Sequence, residues 1–289
     1  MKKLVGILGI ALLAVLLLGS CRKPFRFTLD ENIGVCGAVD RAAAAKAAGV
    51  SYLEAGVSAF LIPEKSEEEF AANRALAASS DPPIRTANGF YPADILLVGP
   101  DADLPRAVSY AETAIRRASE IGIEILVLGS SRSRTIPEGF ARADAERQFI
   151  SLLKHIAPAA EKYGVTIAIE PLRPAETNFI NSVREGAAIA RQAESPAIRV
   201  LADLYHMAQV DEGPDALIDS ADMLVHCHIA EKESRTPPGV AGDDFTPYFA
   251  ALRQIRYTGR ISIECGWSDF ATQLPEAVRT MKEQIESVK

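Results

Sequence analysis

The stretch AERQFISLLKHIAPAAEKYGVTIAIEP, residues 145–171, carries three signals in a row. Its first part spaces apolar residues at the period of an amphipathic helix. Gly164 then stands where a left-handed residue ends a helix. VTIAIEP follows, a short β-branched run that is apolar until Glu170, its one carboxylate. Helix, glycine, strand and terminal polar group therefore form one unit.

Working outward, the unit recurs. β-branched runs stand at NIGVCG (32–37), VSYLEAG (50–56), IRTANGF (84–90) and IEILVLGS (123–130) before it. IRVLADL (198–204), MLVHCHIA (223–230) and RISIECG (260–266) stand after it. Between them lie Ala-, Glu- and Arg-rich helical stretches such as AVSYAETAIRRASEIG (107–122). Gly49, Gly122, Gly164 and Gly259 each sit just before a strand, as helix caps would. Alternating strand and helix implies a parallel sheet. Eight units in about 250 residues predict a (β/α)8 TIM barrel of the α/β class. A doubly wound open sheet is the alternative, but no Gly-x-Gly-x-x-Gly follows the first strand, which speaks against dinucleotide binding. No repeat or domain linker interrupts the pattern. The loop EKESRTPPGVAGDDFTP (231–247) is long and rich in Pro and Gly, and reads as an active-site loop.

The N-terminus stands apart. Lys2 and Lys3 precede the apolar run LVGILGIALLAVLLLG (4–19), which ends in LGSC (18–21). This resembles a bacterial lipoprotein signal peptide with its lipobox. The resemblance implies cleavage before Cys21, a lipid on the Cys21 thiol and a domain in the bacterial cell envelope facing the periplasm. An uncleaved anchor competes, although the run is slightly short for one. The expected organisation is a signal peptide over 1–20, a linker over 21–31 and a single barrel over 32–289. Losing Lys2 and Lys3 moves the formal charge from -7 to -9. That acidity opposes nucleic-acid binding, and membrane contact falls to the lipid on Cys21. Cys36, Cys227 and Cys265 remain, an odd number that argues against a disulfide framework and for three buried free thiols.

In such a barrel the chemistry sits at the C-terminal ends of the strands. Strands five to eight end in Glu170, Asp203, His228 and Glu264. Each is the last costly polar group of a largely apolar run, and three converging carboxylates without a cation would repel. One divalent metal held by these four side chains resolves the conflict. The oxygen-rich set favours Mn²⁺, with Mg²⁺, Co²⁺ and Zn²⁺ as alternatives. A zinc ribbon around His226-Cys227-His228 is excluded, because no second Cys/His pair follows at ligand spacing. Alternation along the strand puts His226 and His228 on one face and Cys227 on the other. His226 is then a hydrogen-bonding partner one layer deeper. Cys227 and Cys265 are packing residues. Glu54 and Asn88, ending strands two and three, are expected to line the pocket, Trp267 to offer an apolar face to a ligand, and His155 to lie on a helix away from the site.

IAIEPL, ADLYHM, HCHIAE and ISIEC, in this order and spacing, resemble the xylose isomerase-like barrel superfamily, in particular the sugar epimerase and isomerase branch that includes the D-tagatose 3-epimerases. The likeness spans residues 30–285. It implies metal ligation by Glu170, Asp203, His228 and Glu264, with Glu170 and Glu264 also working as acid and base on opposite faces of a sugar. His206, Glu176 and Arg235 match substrate-contacting positions, Arg235 falling one residue later than in the tagatose epimerases. The function expected is metal-dependent epimerisation or isomerisation of a non-phosphorylated sugar or keto-sugar through an enediolate. A homo-oligomer is compatible with this. Three other readings compete. A lyase or dehydratase would use the same enediolate. A non-catalytic carbohydrate-binding lipoprotein would not need an intact acid/base pair. A DNA-repair endonuclease of this barrel type would need more than four histidines and a less acidic surface.

Overall fold

The computed structural model describes residues 25–37 and 39–289. The proposed signal peptide and Cys21 lie outside the described residues. Eight parallel strands close in sequence order, from β1 to β8 and back to β1. They are β1 (Ile33–Cys36), β2 (Tyr52–Gly56), β3 (Ile84–Asn88), β4 (Ile125–Leu128), β5 (Thr166–Ile169), β6 (Ile198–Asp203), β7 (Leu224–Ile229) and β8 (Arg260–Ile263). Each falls within one of the runs read from sequence. The helical layer comprises α1 (Ala42–Ala47), α2 (Glu67–Ser79), α3 (Leu104–Glu120), α4 (Ser131–Arg134) and α5 (Arg142–Tyr163). It continues with α6 (Val183–Gln192), α7 (Leu204–Gln209), α8 (Asp215–Asp219), α9 (Thr246–Gln254) and α10 (Phe270–Ser287).

Burial explains why these segments take these forms. In β4 and β5 nearly every residue is buried, because helices cover one face of the sheet and the barrel interior fills the other. α5 turns Phe149, Leu152, Leu153, Ile156 and Ala160 onto the barrel and leaves His155 exposed. Gly49, Gly122 and Gly164 do adopt the left-handed conformation, at φ 82°, 79° and 66°. Gly259 does not. The left-handed residue after α9 is Arg256, at φ 56°. Gly259 serves close packing instead, since a Cβ there would meet the Tyr257 ring and come within 2.7 Å of the Val225 carbonyl oxygen.

The expected linker over 21–31 is corrected at its C-terminal end. Phe27 and Leu29 are buried in the core, and Lys289 pairs with Asp30 at 2.9 Å. Apolar side chains at alternate positions make this segment part of the fold. The described cysteines are free, as expected, but only Cys227 is fully enclosed. Cys36 and Cys265 are half-buried.

Candidate active site

The C-terminal ends of β5 to β8 bring Glu170, Asp203, His228 and Glu264 together, with one ligand-type atom from each inside a mutual distance of 4.8 Å. Register produces this. Asp203 pairs with His228 across β6 and β7, and His228 with Ser262 across β7 and β8, so the polar ends rise to one level. His228 Nδ1 lies 3.1 Å from Glu170 Oε1 and 3.2 Å from Glu264 Oε2. Gly129, at the end of β4, is what leaves room, because a Cβ there would collide with Glu170 Oε2.

The electrostatics are those of carboxylates crowded around too little positive charge. Burial, reinforced by the charge of Glu264, raises the pKa of Glu170. Burial pushes Asp203 up to about 6 against the opposing pull of Arg235. Glu264 would also rise on burial, but His228 and Arg235 bring it down to about 2. Asn88 Nδ2 donates to Glu264 Oε1 at 2.6 Å. The Arg235 guanidinium donates to Asp203 Oδ2 at 3.1 Å and to Glu264 Oε2. One guanidinium among three carboxylates leaves a deficit that a divalent cation would fill, and the donor set of three carboxylates and an imidazole suits a hard or borderline ion.

Beneath this level lies a buried polar layer. The Glu54 carboxylate meets His228 Nε2 and His226 Nε2, each at 2.9 Å, and accepts from Thr86 Oγ1 at 2.7 Å and Ser262 Oγ at 2.6 Å. Tyr52 Oη lies 2.7 Å from Ser262 Oγ. The expectation that Glu54 would line the pocket over the cluster is corrected, because its carboxylate is buried under His228 and borders instead a cavity over the ends of β1 and β2. The signal was present in YLEAG: Glu54 lies two residues before the end of β2 and hence one layer down. Burial alone would raise Glu54, yet His228 and His226 hold it well below the usual carboxylate range. Burial alone would depress His228, yet Glu54 and Glu264 hold it well above its ordinary value. A carboxylate behind a histidine fixes the ring and leaves the opposite nitrogen for the site.

The pocket above the cluster has a volume of about 350 Å³, with His206, Glu176 and Arg235 in its wall. The Arg173 backbone N–H donates to His206 Nδ1 at 3.3 Å, which assigns the ring proton to Nε2. That nitrogen is buried 3.5 Å from Asp203 Oδ2 without a formed hydrogen bond, and burial lowers the His206 pKa to about 4, so a neutral imidazole presents an N–H donor. Glu176 pairs with Arg173 at 2.9 Å. Trp267 is a correction. It does not line this pocket, because its indole packs edge-on against Phe270 with ring centroids 5.1 Å apart.

Two further residues were not legible in the sequence. Arg134 is fully buried and donates to the Leu128 carbonyl at 3.2 Å and the Glu170 carbonyl at 2.7 Å, tying the ends of β4 and β5. Two arginines in a Ser-rich loop gave no sign of which would turn inward. Glu231 is buried after β7 and gathers the following loop. Its carboxylate accepts backbone N–H groups from Gly239 at 2.8 Å and Gly242 at 2.9 Å, and also from Ala241, together with the Thr236 hydroxyl at 2.8 Å. This loop delivers Arg235, with Ser234 and Arg235 both left-handed at φ 55° and 52°. Two consecutive left-handed residues turn the chain tightly enough for the later-placed arginine to reach the site.

A family model described as xylose isomerase-like TIM barrel matches residues 42–288. L-ribulose 3-epimerase of Methylomonas sp. (strain DH-1) is 27% identical over 168 residues, covering 55% of this chain and 57% of the relative. 3-Dehydro-D-guloside 4-epimerase of Escherichia coli (strain K12) is 29% identical over 123 residues, covering 42% of this chain and 47% of the relative. The alignments thus span about half the length of these curated relatives. Among solved structures, the D-psicose 3-epimerase of Clostridium cellulolyticum H10 with D-tagatose superposes at a TM-score of 0.75. It is 19% identical, over 89% of this chain and 99% of that one. That likeness concerns the fold.

Proposed function

Since the chain belongs to the xylose isomerase-like TIM barrel family, we propose that it is a divalent-metal-dependent epimerase or isomerase of a non-phosphorylated sugar or keto-sugar. The observation that carries this reading is the convergence of Glu170, Asp203, His228 and Glu264 at one level of the barrel mouth. The named activities of the sugar epimerases that it resembles support it.

Glu170, Asp203, His228 and Glu264 would hold the cation. When bound, it supplies the positive charge that stabilises the enediolate oxygens of the substrate. Glu170 and Glu264 come from the ends of β5 and β8 and stand in different environments. Glu264 is stabilised as an anion by Arg235 and Asn88 and is suited to take the proton next to the substrate carbonyl. Glu170 is the second carboxylate of the cluster, and it would return a proton from the other face. Return to the same carbon epimerises it, and return to its neighbour interconverts aldose and ketose. His206 Nε2–H donates to a substrate oxygen, and Glu176 accepts from a hydroxyl.

The test pairs metal content with hydrogen exchange. Wild type supplied with Mn²⁺ and dialysed should retain about one ion per chain, and Glu264→Ala should lose it. Wild type should also incorporate deuterium from heavy water into D-fructose, L-ribulose or methyl 3-keto-β-D-glucopyranoside, at the carbon beside the carbonyl. Metal-loaded wild type that exchanges none of these sugars would sink the proposal.

A further inference from the structure

A second cavity opens at the barrel mouth over the ends of β1 and β2. Its volume is about 620 Å³, against about 350 Å³ for the catalytic pocket, and Asn88 stands in the wall of both. The same Asn88 amide donates to Glu264 Oε1, so the two spaces meet at a residue that touches the acid/base pair. The chemistry of the two walls differs. The catalytic pocket presents Glu170, Glu176, His206, Arg235 and Glu264. The second space is faced mainly by Val39, Ala55, Ala59, Phe60 and Leu76, and its polar groups besides Asn88 are Asn73 and the carboxylates Asp40 and Glu54 at its edge. Leu76 is 47% exposed, and among the described residues only Phe25 and Val240 are comparably exposed large hydrophobic side chains. An apolar side chain left in water along the wall of a cavity marks a surface that gains by being covered. No Lys or Arg lines the cavity among the described residues, so its wall supplies no counter-charge for a phosphate or a nucleotide.

The wall is preformed. Asn73 Nδ2 donates to the Phe60 carbonyl at 2.8 Å, which fixes the turn after β2 to α2. Ile62, left-handed at φ 40°, closes that turn. A groove held in shape this way binds without an ordering cost.

We propose that the substrate is a keto-sugar bearing an uncharged apolar substituent, a glycoside whose aglycone occupies this cavity while its sugar ring sits over the carboxylate cluster. The proposal rests on the epimerase reading and names its substrate class. It accounts for the larger, mainly apolar space on the far side of Asn88 from the catalytic pocket, which a free monosaccharide leaves uncovered. It makes the walls around Ala59 and Leu76 the specificity determinant for the aglycone.

The experiment compares phenyl and methyl 3-keto-β-D-glucopyranoside in deuterium exchange, using the full Mn²⁺-loaded chain in detergent. The same chain is then examined by saturation-transfer NMR on the aryl protons of phenyl β-D-glucopyranoside. We expect kcat/KM for the phenyl glycoside at least tenfold above that for the methyl glycoside. Ala59 is exposed, so Ala59→Trp enters the cavity without crowding the core. It should bring the phenyl-to-methyl ratio toward one and remove the aryl saturation-transfer signal. Equal rates for the two glycosides in wild type, or a ratio that Ala59→Trp leaves unchanged, would overturn the proposal. If no sugar exchanges, the epimerase reading fails separately, and the aryl signal still decides whether the cavity takes an aglycone. Its absence in wild type would overturn the proposal.

Discussion

On one side of the barrel interior, Ile125, Val127, Ala168 and Leu201 from β4, β5 and β6 form an apolar cluster of their own. On the other side, Tyr52, Glu54, Thr86, His226 and Ser262 from β2, β3, β7 and β8 form a hydrogen-bonded one. Both are buried and both fill the same barrel. The apolar side answers only to volume. The polar side must pair its donors and acceptors, and His226 Nδ1 is left buried without a partner, a cost that an apolar core does not carry. Its position beneath His228 accounts for that cost: it orients the imidazole that carries the site. The comparison teaches that stability and chemistry are assigned to different sectors of one barrel.

Three substitutions test that division. The largest effect is expected in the apolar sector. Leu201→Ala should cost about 2–5 kcal/mol of unfolding free energy. Urea denaturation in chelator measures it, and Mn²⁺ affinity should stay within about threefold of wild type. A variant that folded well but bound metal poorly would erase the distinction. Next, Glu54→Gln should weaken Mn²⁺ binding about 10- to 100-fold, as loss of a carboxylate behind a ligating histidine does. That corresponds to about 1.4–2.7 kcal/mol, read by calorimetric titration or chelator competition. Unchanged affinity would show that the polar layer is packing after all. The smallest effect is expected for Tyr52→Phe, which removes one buried hydroxyl at the far edge of the network. It should cost about 0.5–1.5 kcal/mol in urea and leave metal affinity nearly intact. A large loss of affinity would mean that the network acts as a unit rather than through Glu54 alone.

The same contrast explains what was legible in the sequence. Period and punctuation located all eight strands, because burial on both faces writes continuous β-branched runs. The level of Glu170, Asp203, His228 and Glu264 followed from their being the last polar groups of those runs. His226 was placed one layer deeper by alternation alone, and it does sit there, on Glu54. Glu54 itself was misplaced, because its depth depends on where β2 stops, and strand ends are poorly marked. Thr86 and Ser262 are small hydroxyl residues that sequence does not distinguish from surface positions. Trp267 was read from its chemistry, whereas its orientation is set by packing on Phe270, three residues further on, once the chain turns into α10. What pattern does not encode is which side chains, distant along the chain, end up facing one another.

The clasp made by Glu231 carries a consequence of its own. Its carboxylate holds the loop by main-chain N–H groups at Gly239, Ala241 and Gly242, not by the side chains of those residues. Gly239 and Gly242 are bound to their identity, being left-handed at φ 98° and 87°. Neighbours such as Lys232, Glu233 and Val240 are not part of what Glu231 grips. The shape of the loop is thereby uncoupled from most of its spelling. It behaves as an exchangeable module on a fixed socket, in which residues other than Arg235, whose guanidinium holds Asp203 and Glu264, are open to revision while the barrel below keeps its stability.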